Sequence, residues 1–185
     1  QKDVVILVDI SGFDNDWQSS TQEGVAAVVG GLYDRDYFQV VVQSGSNTLS
    51  YACGVDGLLR ATESNKKVVL DWFDALNLKD LKKGAEGNLT SLVAKGFELI
   101  VAALDSPNNA DSGCEPVFLL LSTQQPSGDT VRYFNQQNEE YGVRLFTFGL
   151  GSATDPEGYL GGGAMYDLAC SNDGTYFNVE KPNGL

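Results

Sequence analysis

The chain has 185 residues, with 12 Lys and Arg against 25 Asp and Glu, no histidine and a formal net charge of −13. That length suits one domain with a sizeable core, and the anionic balance lacks what a phosphate-tracking surface needs, so nucleic acid is not an expected partner. Without histidine there is no Ser-His or Cys-His nucleophile pair, and zinc loses its commonest nitrogen ligand.

The first element is an apolar run, Val4 to Val8, that stops at Asp9 and is followed at once by small polar residues. The carboxylate of Asp9 reads as a metal ligand, a helix cap or the relic of a site. Gln1 stands just ahead of this strand pattern and leaves no room for a signal peptide, so the chain reads as a piece of a larger protein. Thr21, Val25, Val28, Val29 and Leu32 then recur at helical spacing and predict one buried stripe.

Two strands follow, Phe38 to Val42 and Thr48 to Ala52. Only Ser44 to Asn47 separates them, too short for a crossover, so they form an antiparallel hairpin with the later strand at the sheet edge. Val68, Val69, Leu70, Trp72, Phe73 and Leu76 make a denser helical set. The loop Gly87-Asn88-Leu89-Thr90 opens another helix, whose stripe is Val93, Phe97, Ile100, Val101 and Leu104.

A turn-rich loop, Ser106 to Gly113, leads to the strand Val117 to Leu121, which ends at Ser122 and Thr123. The strand Val143 to Phe148, the loop Gly149 to Gly158 and the strand Thr175 to Val179 complete the series. Apolar runs alternating with helical patterns predict an α/β, Rossmann-like doubly wound fold in a single domain over residues 1–185. Its six-stranded sheet is mostly parallel with one antiparallel edge strand, and helices cover both faces. In such a sheet ligands gather beyond the carboxyl ends of the strands, where Asp9, Ser11, Ser122, Thr123 and the Thr90 loop fall. There is no Gly-x-Ser-x-Gly and no phosphate loop, and the pairs around Gly149 and Gly161 do not complete a dinucleotide fingerprint. No run approaches the ~18–20 apolar residues of a membrane span, so direct membrane insertion is not expected.

The stretches VVILVDISG, GNLTSLVAKGFELI, VFLLLST, VRLFTFGLG and DLACSNDGTYF together resemble the von Willebrand factor type A family over essentially the whole chain. Two further stretches, CGVDGLLRATESNKKVVLDWFDAL and LACSNDGTYF, are similar to the type A domain of calcium-channel alpha-two-delta accessory subunits and their cache-containing relatives. The resemblance implies a metal-ion-dependent adhesion site, in which hydroxyl and carboxylate oxygens hold a hard divalent cation. Asp9, Ser11 and Thr90 match that pattern. Phe13 stands where the family has its second serine, and Thr123 where it has its second aspartate.

A unit charge near 4 Å is worth roughly 4 kcal/mol per unit of ion charge at an effective dielectric of about 20. The expected cofactor is therefore none, or weakly bound Mg²⁺ or Ca²⁺, with Asp9 a relic ligand that satisfies loop amides. Asp14 and Asp16 could compensate, although both fall where acidic residues serve as caps or dipole partners. Asn88-Leu89-Thr90 is a glycosylation sequon, so Asn88 is a candidate glycan site.

Cys53 and Cys114 look like cysteine positions of the alpha-two-delta-like domains, which implies a bridge between them. Cys170 is the competing partner, or is free, or is linked to another part of the parent protein, and three reduced thiols would instead fit an intracellular chain. The expected role is a non-enzymatic protein-interaction or assembly module with an unidentified protein partner, extracellular or at the cell surface, in a secreted or membrane-anchored protein. The alternatives are a divalent-metal-dependent adhesion or channel-accessory domain and, more remotely, a doubly wound enzyme, since fold alone does not fix function.

Overall fold

A computed structural model describes residues 1–11, 15–45, 47–51, 57–76, 78, 87–106, 111–150 and 163–179. The strands are β1 (Asp3–Asp9), β2 (Tyr37–Ser44), β3 (Asn47–Ser50), β4 (Leu59–Arg60), β5 (Pro116–Ser122), β6 (Arg144–Leu150) and β7 (Tyr176–Val179). The helices are α1 (Asn15–Gly30), α2 (Glu63–Ala75), α3 (Leu89–Leu104), α4 (Gly128–Tyr141) and α5 (Gly163–Cys170).

The strands form one sheet in the order β3-β2-β1-β5-β6-β7, with β4 also on β2. β1 lies between β2 and β5, parallel to both, with Ile6 opposite Val40 on one side and Leu119 on the other. Six strands fall where the apolar runs predict them. The count of six strands with one antiparallel is corrected to seven with two, because β4 pairs antiparallel with β2 at Tyr37 and Phe38. A two-residue strand shows no alternation for a sequence to reveal. Its pairing is extended by Ala61 N–H donating to the Asp36 carbonyl at 2.8 Å. The hairpin is tight, Ser44 facing Asn47 across a turn in which Gly45 has φ 57°, a left-handed conformation that suits glycine.

β1 shows why both faces of a central strand must be apolar. Val4, Ile6 and Val8 pack with Phe38, Val40 and Val42 beneath α1 and α2. Val5 and Leu7 pack on the other face with Phe118, Leu120 and Leu145 beneath α3, α4 and α5. The period of two along a strand thus divides one run between two cores. Gly96 lets α3 approach closely, since a Cβ there would stand 2.9 Å from the Phe118 ring.

The stripes of α1 and α3 are buried at Val25, Val29, Val93, Phe97 and Ile100, but Leu104, at the end of α3, is 56% exposed. Of the dense α2 set, Val69 and Phe73 point inward and Val68 is exposed. Thr62, Asn88 and Ser127 cap α2, α3 and α4, each accepting from the N–H three residues on, which satisfies one of the donors a helix start leaves unpaired. α4 carries no broad apolar stripe and buries only Thr130 and Phe134.

Candidate functional site at the carboxyl ends of the strands

Asp9 is the last residue of β1, paired in register with Gln43 of β2, and is 0% exposed. A buried carboxylate needs donors, and this one has three. Its Oδ1 accepts from the backbone N–H of Ser11 at 3.1 Å and from the Ser11 hydroxyl at 2.5 Å. Its Oδ2 accepts from the hydroxyl of Ser122, at the end of β5, at 2.7 Å. Ser122 Oγ in turn accepts from Gln124 N–H at 2.8 Å. One loop amide and two hydroxyls therefore satisfy the carboxylate, and adjacent parallel strands fix its position.

The loop ahead of α3 lies directly on this group. A Cβ at Gly87 would overlap the Ser11 hydroxyl and stand 2.7 Å from Asp9 Oδ1. Three residues on, Thr90 is engaged elsewhere: its Oγ1 is 2.8 Å from Oγ1 of Thr130 on α4. Thr130 Oγ1 also lies 3.0 Å from the hydroxyl of the cap residue Ser127. The site residues thus fall into two hydroxyl-rich groups. Asp9, Ser11 and Ser122 are covered by Gly87. Thr90, Thr130 and Ser127 line a cavity of about 380 Å³ together with Asn88, Gln124 and Gln125.

Ser127 and Thr130 are functional candidates that the sequence stripes do not mark. The available signal is the capping pattern Ser127-Gly128-Asp129-Thr130, which places a hydroxyl residue three positions after a cap. Thr123 Oγ1 is buried without a hydrogen-bond partner among the described residues. Phe13 and Asp14 lie outside the described residues, as does the side chain of Asp16.

The donor set fits a tightly held divalent cation poorly. It offers one carboxylate, both of whose oxygens already accept from hydroxyls, and a threonine hydroxyl turned to a neighbour. The Thr123 hydroxyl, unpartnered among the described residues, is the one feature that favours a further ligand. Among the described residues no group of three or more His, Cys, Asp or Glu is placed to hold a metal.

The opposite end of β1 carries a second buried aspartate. Asp3 is 4% exposed, and both its oxygens accept from the N–H of Ser112, at 2.7 and 3.0 Å. Burial pushes its carboxyl above the ordinary value, against the lowering effect of the Ser112 bonds and reinforced by the charges of Asp111 and Asp36.

Asn88 is exposed, with its Oδ1 capping α3 from 3.2 Å at Ser91 N–H, so its Nδ2 is the atom left for a glycan. Cys114 and Cys170 are exposed with free thiols. Cys53 lies outside the described residues.

No protein-family model matches the sequence. Solved structures do match in fold. A von Willebrand factor type A protein from Catenulispora acidiphila has a TM-score of 0.74 at 14% identity over 97% of this chain, which spans 38% of that protein. The conserved hypothetical protein BatB from Bacteroides thetaiotaomicron gives 0.70 at 14% identity, covering 99% of this chain and 92% of that one. An aerotolerance-related membrane protein from Bacteroides fragilis NCTC 9343 gives 0.67 at 13% identity, covering 97% and 92%. At these identities the likeness is one of fold, and the fold is of the von Willebrand type A kind.

Proposed function

We propose that the chain is a non-enzymatic protein-interaction or assembly module whose contact surface is formed by the loops at the carboxyl ends of β1 and β5 and the starts of α3 and α4, and that this surface works without a bound metal. The observation that carries the proposal is the carboxylate of Asp9, satisfied by Ser11 and Ser122 and covered by Gly87. The type A fold of its structural neighbours supports an interaction role. An extracellular or cell-surface position belongs to the proposal. The membrane protein among those neighbours supports it, and no helix among the described residues is long and apolar enough to cross a membrane. Kinship with channel-accessory domains rests on the sequence stretches alone.

Titration with Mg²⁺, Ca²⁺ and Mn²⁺ at low ionic strength tests the metal-independent reading. No saturable site tighter than roughly millimolar is expected, the range of weak calcium modules. A micromolar isotherm abolished by Asp9→Ala would overturn it in favour of metal-dependent adhesion, the second reading, which the unpartnered Thr123 hydroxyl favours.

The compartment has its own test in the cysteines. Cys114 is free in the structure, so the bridge to Cys53 rests on the sequence resemblance alone, and non-reducing peptide mapping of native protein tests it, the expected result being Cys53 joined to Cys114. A Cys170 peptide joined to either one sinks that pairing, and three free thiols in freshly isolated material sink the extracellular placement as well.

A further inference from the structure

We infer that Thr130 on α4 is a latch that holds the Thr90 hydroxyl away from any cation at Asp9, so that the helix contact as well as the missing ligands keeps this surface metal-free. The inference rests on the metal-independent reading above and adds a residue that the adhesion-site pattern does not contain.

Thr130 is 2% exposed, and its Oγ1 sits between two hydroxyls, that of Thr90 at 2.8 Å and that of Ser127 at 3.0 Å. A threonine hydroxyl has one hydrogen to donate and two acceptor positions, so this three-hydroxyl chain is chemically complete. It is also stiff. Ser127 is fixed as the cap of α4, accepting from Thr130 N–H at 3.2 Å, and a β-branched side chain in a helix has few χ1 choices.

On the other side, Gly87 lies against Asp9 and Ser11. Thr90 lines the cavity with Thr130, whereas Asp9 and Ser11 do not. Gly87 lines that cavity as well, so the cavity adjoins Asp9. For the Thr90 hydroxyl to serve an ion at Asp9 it must leave Thr130, and the contact with Thr130 opposes that. Thr130 is a positioning residue in this scheme and makes no contact with the ion.

The competition has a definite size. One side-chain hydrogen bond is worth about 0.5–1.5 kcal/mol net, so removing it should tighten a competing equilibrium about two- to tenfold. The experiment is Mn²⁺ titration of the whole chain, followed by paramagnetic broadening of backbone amide signals near Asp9 and Thr90, a readout that reaches millimolar dissociation constants. Thr130→Val keeps the shape and removes the hydroxyl, and is expected to tighten Mn²⁺ uptake by that factor. Thr130→Ser restores a hydroxyl and should return uptake to that of the unaltered chain. Adding Thr90→Ala to Thr130→Val should abolish the gain.

An unchanged Thr130→Val titration in a folded chain overturns the latch, as does an equal gain in Thr130→Ser. Thr130→Ala serves if valine crowds the site. If neither variant folds, the residue is a structural pillar and the latch is again overturned, because losing the two hydroxyl contacts of Thr130 does not by itself unfold a domain. Tight uptake by the unaltered chain sinks the proposed function itself. Weak uptake that Thr130→Val leaves unchanged sinks only the latch.

Discussion

Two aspartates stand at the two ends of β1, both buried, and the chain treats them differently. Asp9 receives two hydroxyls and a backbone amide. Asp3 has donors from one residue only, Ser112, and faces the charges of Asp111 and Asp36. Burying a charge costs free energy unless donors replace the water it loses, and the comparison shows that replacement largely made at one end and only begun at the other. The upper end is a finished polar structure. At the lower end a charge is under desolvation stress.

The most severe way to break this contrast is Asp9→Ala. It leaves the buried hydroxyl of Ser122 and the half-buried hydroxyl of Ser11 without their acceptor, and the expected loss is about 2–4 kcal/mol of unfolding free energy, measured by urea denaturation. Asp9→Asn should cost less, because an amide oxygen still accepts from Ser11. Equal losses for the two variants would mean that hydrogen bonding is not what holds the carboxylate.

Gly87→Ala comes next. Its Cβ must displace the Ser11 hydroxyl or move the start of α3, at about 1–3 kcal/mol, and a chain as stable as the original would show that the loop does not rest on Asp9 in solution.

The smallest effect has the opposite sign. Because the carboxyl of Asp3 is raised in the fold, its contribution to stability is greatest when protonated, below the unfolded value, and is lost as pH rises through the folded value. Asp3→Asn should therefore be slightly more stable than the original near neutrality, with an advantage that fades on acidification as the original protonates. Thermal melting at neutral and mildly acidic pH checks this, and an advantage independent of pH would point to packing instead.

Much of the fold is legible in the sequence because it depends on apolar period. The uninterrupted Val4 to Val8 run reports a strand covered on both faces, and the Val93, Phe97 and Ile100 spacing reports a helix with one buried side. What escapes is too short or too sparse to show a period. β4 is two residues flanked by one backbone bond, from Ala61 to Asp36, and α4 buries only Thr130 and Phe134.

The site divides in the same way. Asp9, Ser11 and Thr90 are visible from the family pattern that the sequence resembles, and Ser122 and Thr123 from their place after a strand. No pattern could show that Thr90 would turn to Thr130, since that partner lies 40 residues along the chain and hydroxyl pairing leaves no periodic trace. Phe13 and Cys53 remain expectations from sequence, being outside the described residues.

The chain of Ser127, Thr130 and Thr90 is built wholly of alcohols, which neither ionise near neutral pH nor exchange with solutes as a coordinated ion does. If the proposed metal-free reading holds, a surface braced in this way would be indifferent to chelators and to swings in calcium. Where a metal-bridged contact can be switched off by ion withdrawal, the proposed contact would be constitutive, and any regulation of its binding would have to come from the partner or from the amount of protein.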